Sequence, residues 1–202
     1  MNETKLHILT TSFKLFLCKN FKEVTMQEIV TNTGLSKGAF YHYFKSKEQL
    51  FSEVIEMFFL TIPLSQQKKI DSSSLFSFYH DYLENASQTY AQLGEIVKEA
   101  NVNIISVFSL SLDAMKRLPN YKEKYIMGNK FVLGMWINVI KSARENGEIS
   151  TSMTDVQIAY FFKFTMEGMG MKSEQDGISS AQNDKELIEL WDNFYEQIKT
   201  KI

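Results

Sequence analysis

Residues 25–50 read TMQEIVTNTGLSKGAFYHYFKSKEQL, and the reading of this stretch decides the fold. Thr25 stands three residues before Glu28, the spacing at which a hydroxyl and a carboxylate each take up an otherwise unpaired backbone N–H at a helix start. Met26, Ile29 and Val30 form the inward side of the helix so begun. Gly34 follows where that helix has to stop and the chain has to turn, and Ser36 is placed to cap a third helix. Phe40 and Phe44, four apart, give the third helix one apolar side and leave Lys37, Tyr41 and His42 turned partly away from it. Ser46 with Gln49 repeats the cap signal and opens a helix through Leu50, Val54 and Phe58 toward Pro63.

Upstream, Leu6, Leu9, Phe13, Phe16 and Leu17 recur at helical spacing between Glu3 and Lys19 and define the buried face of a first helix. Asn20 is expected to end it in the left-handed conformation, and Cys18, in an apolar run, is expected in the core. Two short helices joined through a glycine turn and packed on a longer one form a helix-turn-helix, whose second member can lie in a DNA major groove. By spacing alone such a hairpin is either a DNA-binding element or part of a helical core.

The composition agrees with a helical protein. In 202 residues, 44% hydrophobic and 23% charged, two prolines and nine glycines supply little turn chemistry for many short strands. One cysteine excludes an intramolecular disulfide framework and a multi-cysteine zinc site, which fits a reducing, cytoplasmic setting. The first twenty residues hold neither a signal-peptide core nor a spanning segment, and no membrane partner is expected. Net charge is −2, yet residues 1–50 carry seven lysines against four carboxylates, so a basic segment precedes an acidic body.

Downstream of the polar linker QQKKIDSSS, Phe76, Tyr79, Leu83, Ala86 and Tyr90 predict a helix to Leu93. Val102, Ile105, Phe108, Leu112 and Met115 predict another ending at Pro119, although NIISVFSLSL also alternates as a strand would. A long helix over 121–145 closes at Asn146 and Gly147, and Thr154 with Gln157 caps one running to Met171. A last helix opens at Asn183 or Asp184, with KSEQDGISSAQN before it as a loop. The expectation is an all-α chain of about nine helices.

The first quarter, Ile8 to Phe51, resembles the N-terminal domain of TetR-family transcriptional regulators. The likeness is carried by YHYFKSKEQL preceded, in order, by VTMQEIVTNTGLSKGAF; it departs at Asn20, where the family usually has glycine. The rest of the chain resembles the family only in being helical and of suitable length. The resemblance implies an N-terminal three-helix helix-turn-helix DNA-binding domain over residues 1–48 and a helical ligand-binding and dimerisation domain over 49–202. It places Thr25, Ser36, Lys37, Gly38, Ala39, Tyr41, His42 and Lys47 at the DNA. Thr25 would offer helix-start amides and its hydroxyl to a phosphate. Lys37, Tyr41 and Lys47 would meet phosphates or, for Lys37, a guanine edge. Ala39 would touch a thymine methyl, Gly38 would allow close approach, and His42 would meet a base or phosphate.

The implied partners are a double-stranded DNA operator, a second copy of the chain and an apolar or aromatic small-molecule inducer. Phe76, Tyr79, Tyr90, Phe108, Met127, Phe131, Met135 and Trp136 are the candidate pocket residues. Tyr160, Phe161, Phe164, Met171, Trp191, Phe194, Tyr195 and Ile198 are the candidate dimer interface. Each of these rings serves equally in a solid core. No enzyme, cofactor or metal is expected: SQQK at 65–68 matches a serine-to-lysine spacing without its companion motifs, and His7, His42 and His80 are scattered. The competing reading keeps the fold but makes the tripod of three N-terminal helices a protein-interaction module that does not bind DNA.

Overall fold

The computed structural model describes residues 2–61, 70–100, 104–176 and 179–201. Among these, nine α-helices run α1 (Glu3–Cys18), α2 (Met26–Thr33), α3 (Lys37–Tyr43), α4 (Lys47–Glu56), α5 (Leu75–Glu99), α6 (Ile104–Arg117), α7 (Pro119–Glu145), α8 (Asp155–Asp176) and α9 (Ser180–Ile198). A π turn, Met57–Thr61, continues α4, and one isolated antiparallel bridge joins Ile149 to Lys199. The region read as either helix or strand is helix α6. Among the described residues no helix is long and apolar enough to cross a membrane, and no group of His, Cys, Asp and Glu could hold a metal ion.

The chain divides into two compact units, Met1–Gln66 with Ala91–Lys124, and Gln67–Tyr90 with Tyr125–Ile202. In the first, α1 packs on α2 and α4, and α6 packs on α1 and α4. Ile8, Phe13, Val24, Ile29, Phe40, Phe44, Leu50 and Val54 have no exposed surface, so every helix of the tripod sends a side chain into one core. Phe13 stacks on Phe58 of the π turn at 4.1 Å between ring centroids.

In the second unit α8 packs on α9. Trp136, Phe162, Trp191 and Tyr79 are fully buried, with Trp136 stacked on Phe162 at 4.8 Å and Trp191 edge-on to Phe162 at 5.2 Å. Trp191 Nε1 donates to Thr165 Oγ1 at 2.9 Å. Glu148 caps α5 from a distance, accepting the amides of Leu75 at 3.0 Å and Phe76 at 3.2 Å and the Tyr195 hydroxyl at 3.1 Å. Gly147, at φ 74°, supplies the left-handed turn after α7 that the sequence predicts.

Four local expectations are corrected. The buried stripe of α1 is Ile8, Leu9, Ser12, Phe13, Phe16 and Leu17, which leaves Leu6 and Cys18 exposed. Helix α1 ends through Lys19 in extended backbone, and Asn20 turns the chain with its side chain, Oδ1 accepting the amides of Lys22 and Glu23 at 3.0 and 3.2 Å. Helix α5 runs on to Glu99 rather than ending at Leu93. The polar stretch before the last helix is mostly helical: α8 continues to Asp176, and Ser179 rather than Asn183 caps α9. Ser65 to Lys68 and the side chains of Tyr90, Val102 and Ile105 lie outside what the structure describes.

Candidate nucleic-acid interface

Three short-range caps build the face formed by α2 and α3. Thr25 Oγ1 accepts the Glu28 amide at 3.1 Å, Ser36 Oγ the Ala39 amide at 3.3 Å, and Ser46 Oγ the Gln49 amide at 3.1 Å. Gly34 takes φ 68° between α2 and α3, a conformation in which any side chain would be strained. These signals fix where each helix starts and the sharp turn between them. Phe40 and Phe44, both fully buried, then fix how α3 is rotated about its axis.

That rotation leaves Lys37, Gly38, Ala39, Tyr41 and His42 exposed in a row, with Ser36 before them and Thr25 exposed at the start of α2. The Lys37 side chain makes no hydrogen bond or ion pair among the described residues. The Tyr41 ring stands edge-on to Phe40 at 5.6 Å, and Lys45 Nζ donates to the Tyr41 carbonyl. A β-carbon added to Gly38 would meet no neighbouring atom, so nothing inside the protein requires glycine there.

Charge at the start of α2 is balanced locally. The Glu28 carboxylate receives Lys19 Nζ at 2.5 Å, and that bond, with the backbone bond at Thr25, holds its pKa below the ordinary carboxylate value. The same pairing raises the Lys19 ammonium. The pairing weakens, without removing, the repulsion that this carboxylate exerts on an anion approaching the helix start.

Three features have no signature in sequence because their partners are far apart along the chain. Lys47 is half-buried, with Nζ donating to the carbonyls of Phe21 at 2.8 Å and Val24 at 2.7 Å. Asn2, besides its local cap on the Thr4 amide, donates Nδ2 to the Tyr43 hydroxyl at 3.1 Å, 41 residues away. His7 Nε2 meets the Thr33 carbonyl at 3.0 Å, beside the turn into α3.

The residues expected to form a pocket do not share one environment. Tyr79 and Trp136 are fully buried in the second core, whereas Met127 and Phe131 are 70% and 66% exposed, and Phe108 belongs to the first unit. Phe76 is exposed and stacks against His80 and Tyr195. Phe131 and Met135 line an open cavity of about 410 Å³ with Ile70, Ser72, Phe78, Asn138, Val139 and Ser142. Of the expected interface residues, Tyr160, Phe164 and Met171 are exposed on α8, Phe161, Phe194 and Tyr195 are half-buried, and Trp191 and Ile198 are buried.

Residues 8–54 match the family described as bacterial regulatory proteins, tetR family. An uncharacterized HTH-type transcriptional regulator of Bacillus subtilis, YerO, is 44% identical over 71 residues, a match spanning 35% of this chain and 24% of YerO. The structure of the ketosteroid transcriptional regulator KstR2 of Mycobacterium tuberculosis superposes with a TM-score of 0.67 at 14% identity, over 100% of this chain and 97% of that one. A SmeT–triclosan complex superposes with a TM-score of 0.64 at 17% identity, over 94% of this chain and 90% of that one.

Proposed function

From a chain that belongs to the TetR family of transcriptional regulators, which it matches over residues 8–54, we propose a ligand-responsive repressor that binds a palindromic operator as a homodimer. The carrying observation is the row Lys37 to His42, exposed on a helix whose rotation is locked by two fully buried phenylalanines. Residues 1–48 form the DNA-binding head and 49–202 the regulatory part. Thr25 holds a phosphate at the start of α2, where unpaired amides and the helix dipole favour an anion. Ser36 and Tyr41 hold further phosphates, Lys37 reaches a phosphate or a guanine edge, and His42 meets a base or phosphate. Ala39 touches a thymine methyl, and Gly38 brings the helix close to the duplex.

Helix α3, KGAFYHY, lacks the Arg, Asn and Gln side chains that make bidentate base contacts. Discrimination therefore leans on Lys37, on the Ala39 methyl contact, on the ring residues of α3 and on DNA shape and deformability. One head makes too few phosphate contacts to bind tightly at physiological salt, so two heads act on a two-fold site. Helix α8 suits the pairing: Ile158, Ala159 and Phe162 face its own core while Tyr160, Phe164 and Met171 are left exposed. The cavity beside Phe131 and Met135 is lined by apolar and neutral polar groups, which suits an uncharged, partly aromatic inducer. Such a ligand lowers DNA affinity by preferring a conformation that DNA does not.

Selection of binding sites from random duplex DNA tests this reading. The expected product is a two-fold symmetric site with few invariant guanines and a preference for flexible pyrimidine–purine steps in positions the protein does not touch. Recovery of sites with several near-invariant guanines per half-site and no dependence on flanking sequence would contradict the sparse-readout account. Recovery of no site would contradict operator binding itself.

A further inference from the structure

Lys47 sits in the sequence where a phosphate-binding lysine is expected, but its ammonium is already engaged. Two of its three N–H donors go to the carbonyls of Phe21 and Val24, at 2.8 and 2.7 Å, and Nζ stands 4.4 Å from the centroid of the Phe21 ring. Val24 is fully buried and immediately precedes Thr25, the cap of α2. Phe21 is itself only 8% exposed, is edge-on to Phe51 at 4.8 Å, and has the Arg117 guanidinium 4.7 Å from its centroid. Arg117, at the end of α6, is oriented by Asp113 at 2.7 Å. The segment leading into α2 is thus held by one cation through two carbonyls and a ring, and by a second cation through the same ring.

The geometry points to Lys47 as a positioning residue for DNA binding: it fixes the Phe21–Val24 segment and, through it, the Thr25 end of α2 that receives a phosphate. A shift of the helix start by even a fraction of an ångström misdirects its amides, because hydrogen bonds to a phosphate weaken steeply with distance and angle. Arg117 supports the same segment from α6. This inference rests on the DNA-binding reading above, and its test separates the two.

Wild type, Lys37→Ala, Lys47→Met, Phe21→Leu, Thr25→Ala and the Lys47→Met/Thr25→Ala pair are compared by fluorescence anisotropy on random-sequence duplex across a salt series, at a temperature where circular dichroism shows each folded. Lys47→Met keeps the aliphatic stem over the ring and removes the donors; Phe21→Leu keeps the lysine and removes its platform. Each is expected to weaken binding about tenfold, the scale of one charge-assisted hydrogen bond. Neither should change the slope of log K against log salt, which falls by about 0.9 when a direct phosphate contact is lost. In the Thr25→Ala background Lys47→Met should cost less than about threefold, since the two act on one element. Hydrogen exchange of the DNA-free protein should show faster exchange over residues 24–28 in Lys47→Met and Phe21→Leu.

A slope reduced by about one in Lys47→Met, with effects that multiply with Thr25→Ala, would make Lys47 a phosphate contact and overturn the inference. So would wild-type binding by Phe21→Leu, or unchanged exchange over residues 24–28. If wild type itself fails to bind DNA while that exchange still rises in the variants, Lys47 fixes the helix start and the DNA-binding reading is what fails.

Discussion

In the first unit, the short helices α2, α3 and α4 each begin on a side chain that accepts an amide three residues on; in the second, long helices lean on rings that meet from distant parts of the chain. Thr25, Gly34, Ser36 and Ser46 set both ends of α2 and the starts of α3 and α4 within a span of 22 residues. Tyr79, Trp136, Phe162 and Trp191 come from α5, α7, α8 and α9 and have to find one another before any of them is buried. The contrast matters for function. Local caps set where the short helices start and buried rings such as Phe40 and Phe44 hold their exposed face in place, whereas in the second unit the rings carry most of the order and residues at the edge of the core are free to vary.

The largest expected effects remove the centre of each unit. Phe40→Ala and Trp191→Ala each lose a fully buried ring, and each should cost about 3–5 kcal/mol in denaturant titrations. The comparison breaks if either costs less than about 1 kcal/mol, since that residue would then not be anchoring its unit. Phe40→Ala should also abolish DNA binding, by releasing the rotation of α3.

A smaller effect falls on the caps. Thr25→Ala should cost about 1 kcal/mol of stability and, if the proposed phosphate contact at this helix start holds, reduce DNA affinity further than that. A change in stability with no change in affinity would confine Thr25 to capping.

The smallest effect is a pH dependence in the second unit. Tyr79 donates to Asp192 Oδ1 at 2.6 Å, and burial, followed by that bond and the carboxylate's charge, pushes its phenol far above the ordinary 10. Tyr195 is pushed up to about 12 by burial and then by Glu148. For a group whose folded pKa is raised, the linked stability is fully present below the unfolded value and is lost as pH rises through the folded one. Stability of the second unit should therefore fall from about pH 10 upward. Tyr79→Phe should cost about 1 kcal/mol at neutral pH, with a shallower alkaline decline in thermal melts. An unchanged alkaline limb would remove Tyr79 as its source.

The same contrast explains what could be read from the sequence. Caps and apolar stripes are local, so the helix-turn-helix, its exposed row and the all-α class were legible, down to Thr154 and Gln157 exchanging hydrogen bonds at 3.2 and 2.8 Å. Lys47 was not, because its partners lie 23 and 26 residues away with no periodic relation to it. The polar stretch after Met171 misled because a solvated helix and a loop share a composition; without an apolar stripe, only the hydrogen-bonding backbone tells them apart. Rings in the second unit were legible as apolar but not as core or surface. Trp136 and Met127 have similar neighbours in sequence and opposite burial.

The central claim, that the face from Thr25 to His42 binds DNA, is tested most directly by the salt dependence of duplex binding in wild type and Lys37→Ala. The account predicts steep weakening with salt in wild type, and in the variant a slope reduced by about 0.9, or an unchanged slope with loss of base preference if Lys37 reads guanine. Binding indifferent to salt, or identical in the two proteins, would contradict it and favour a protein-interaction module built on the same tripod.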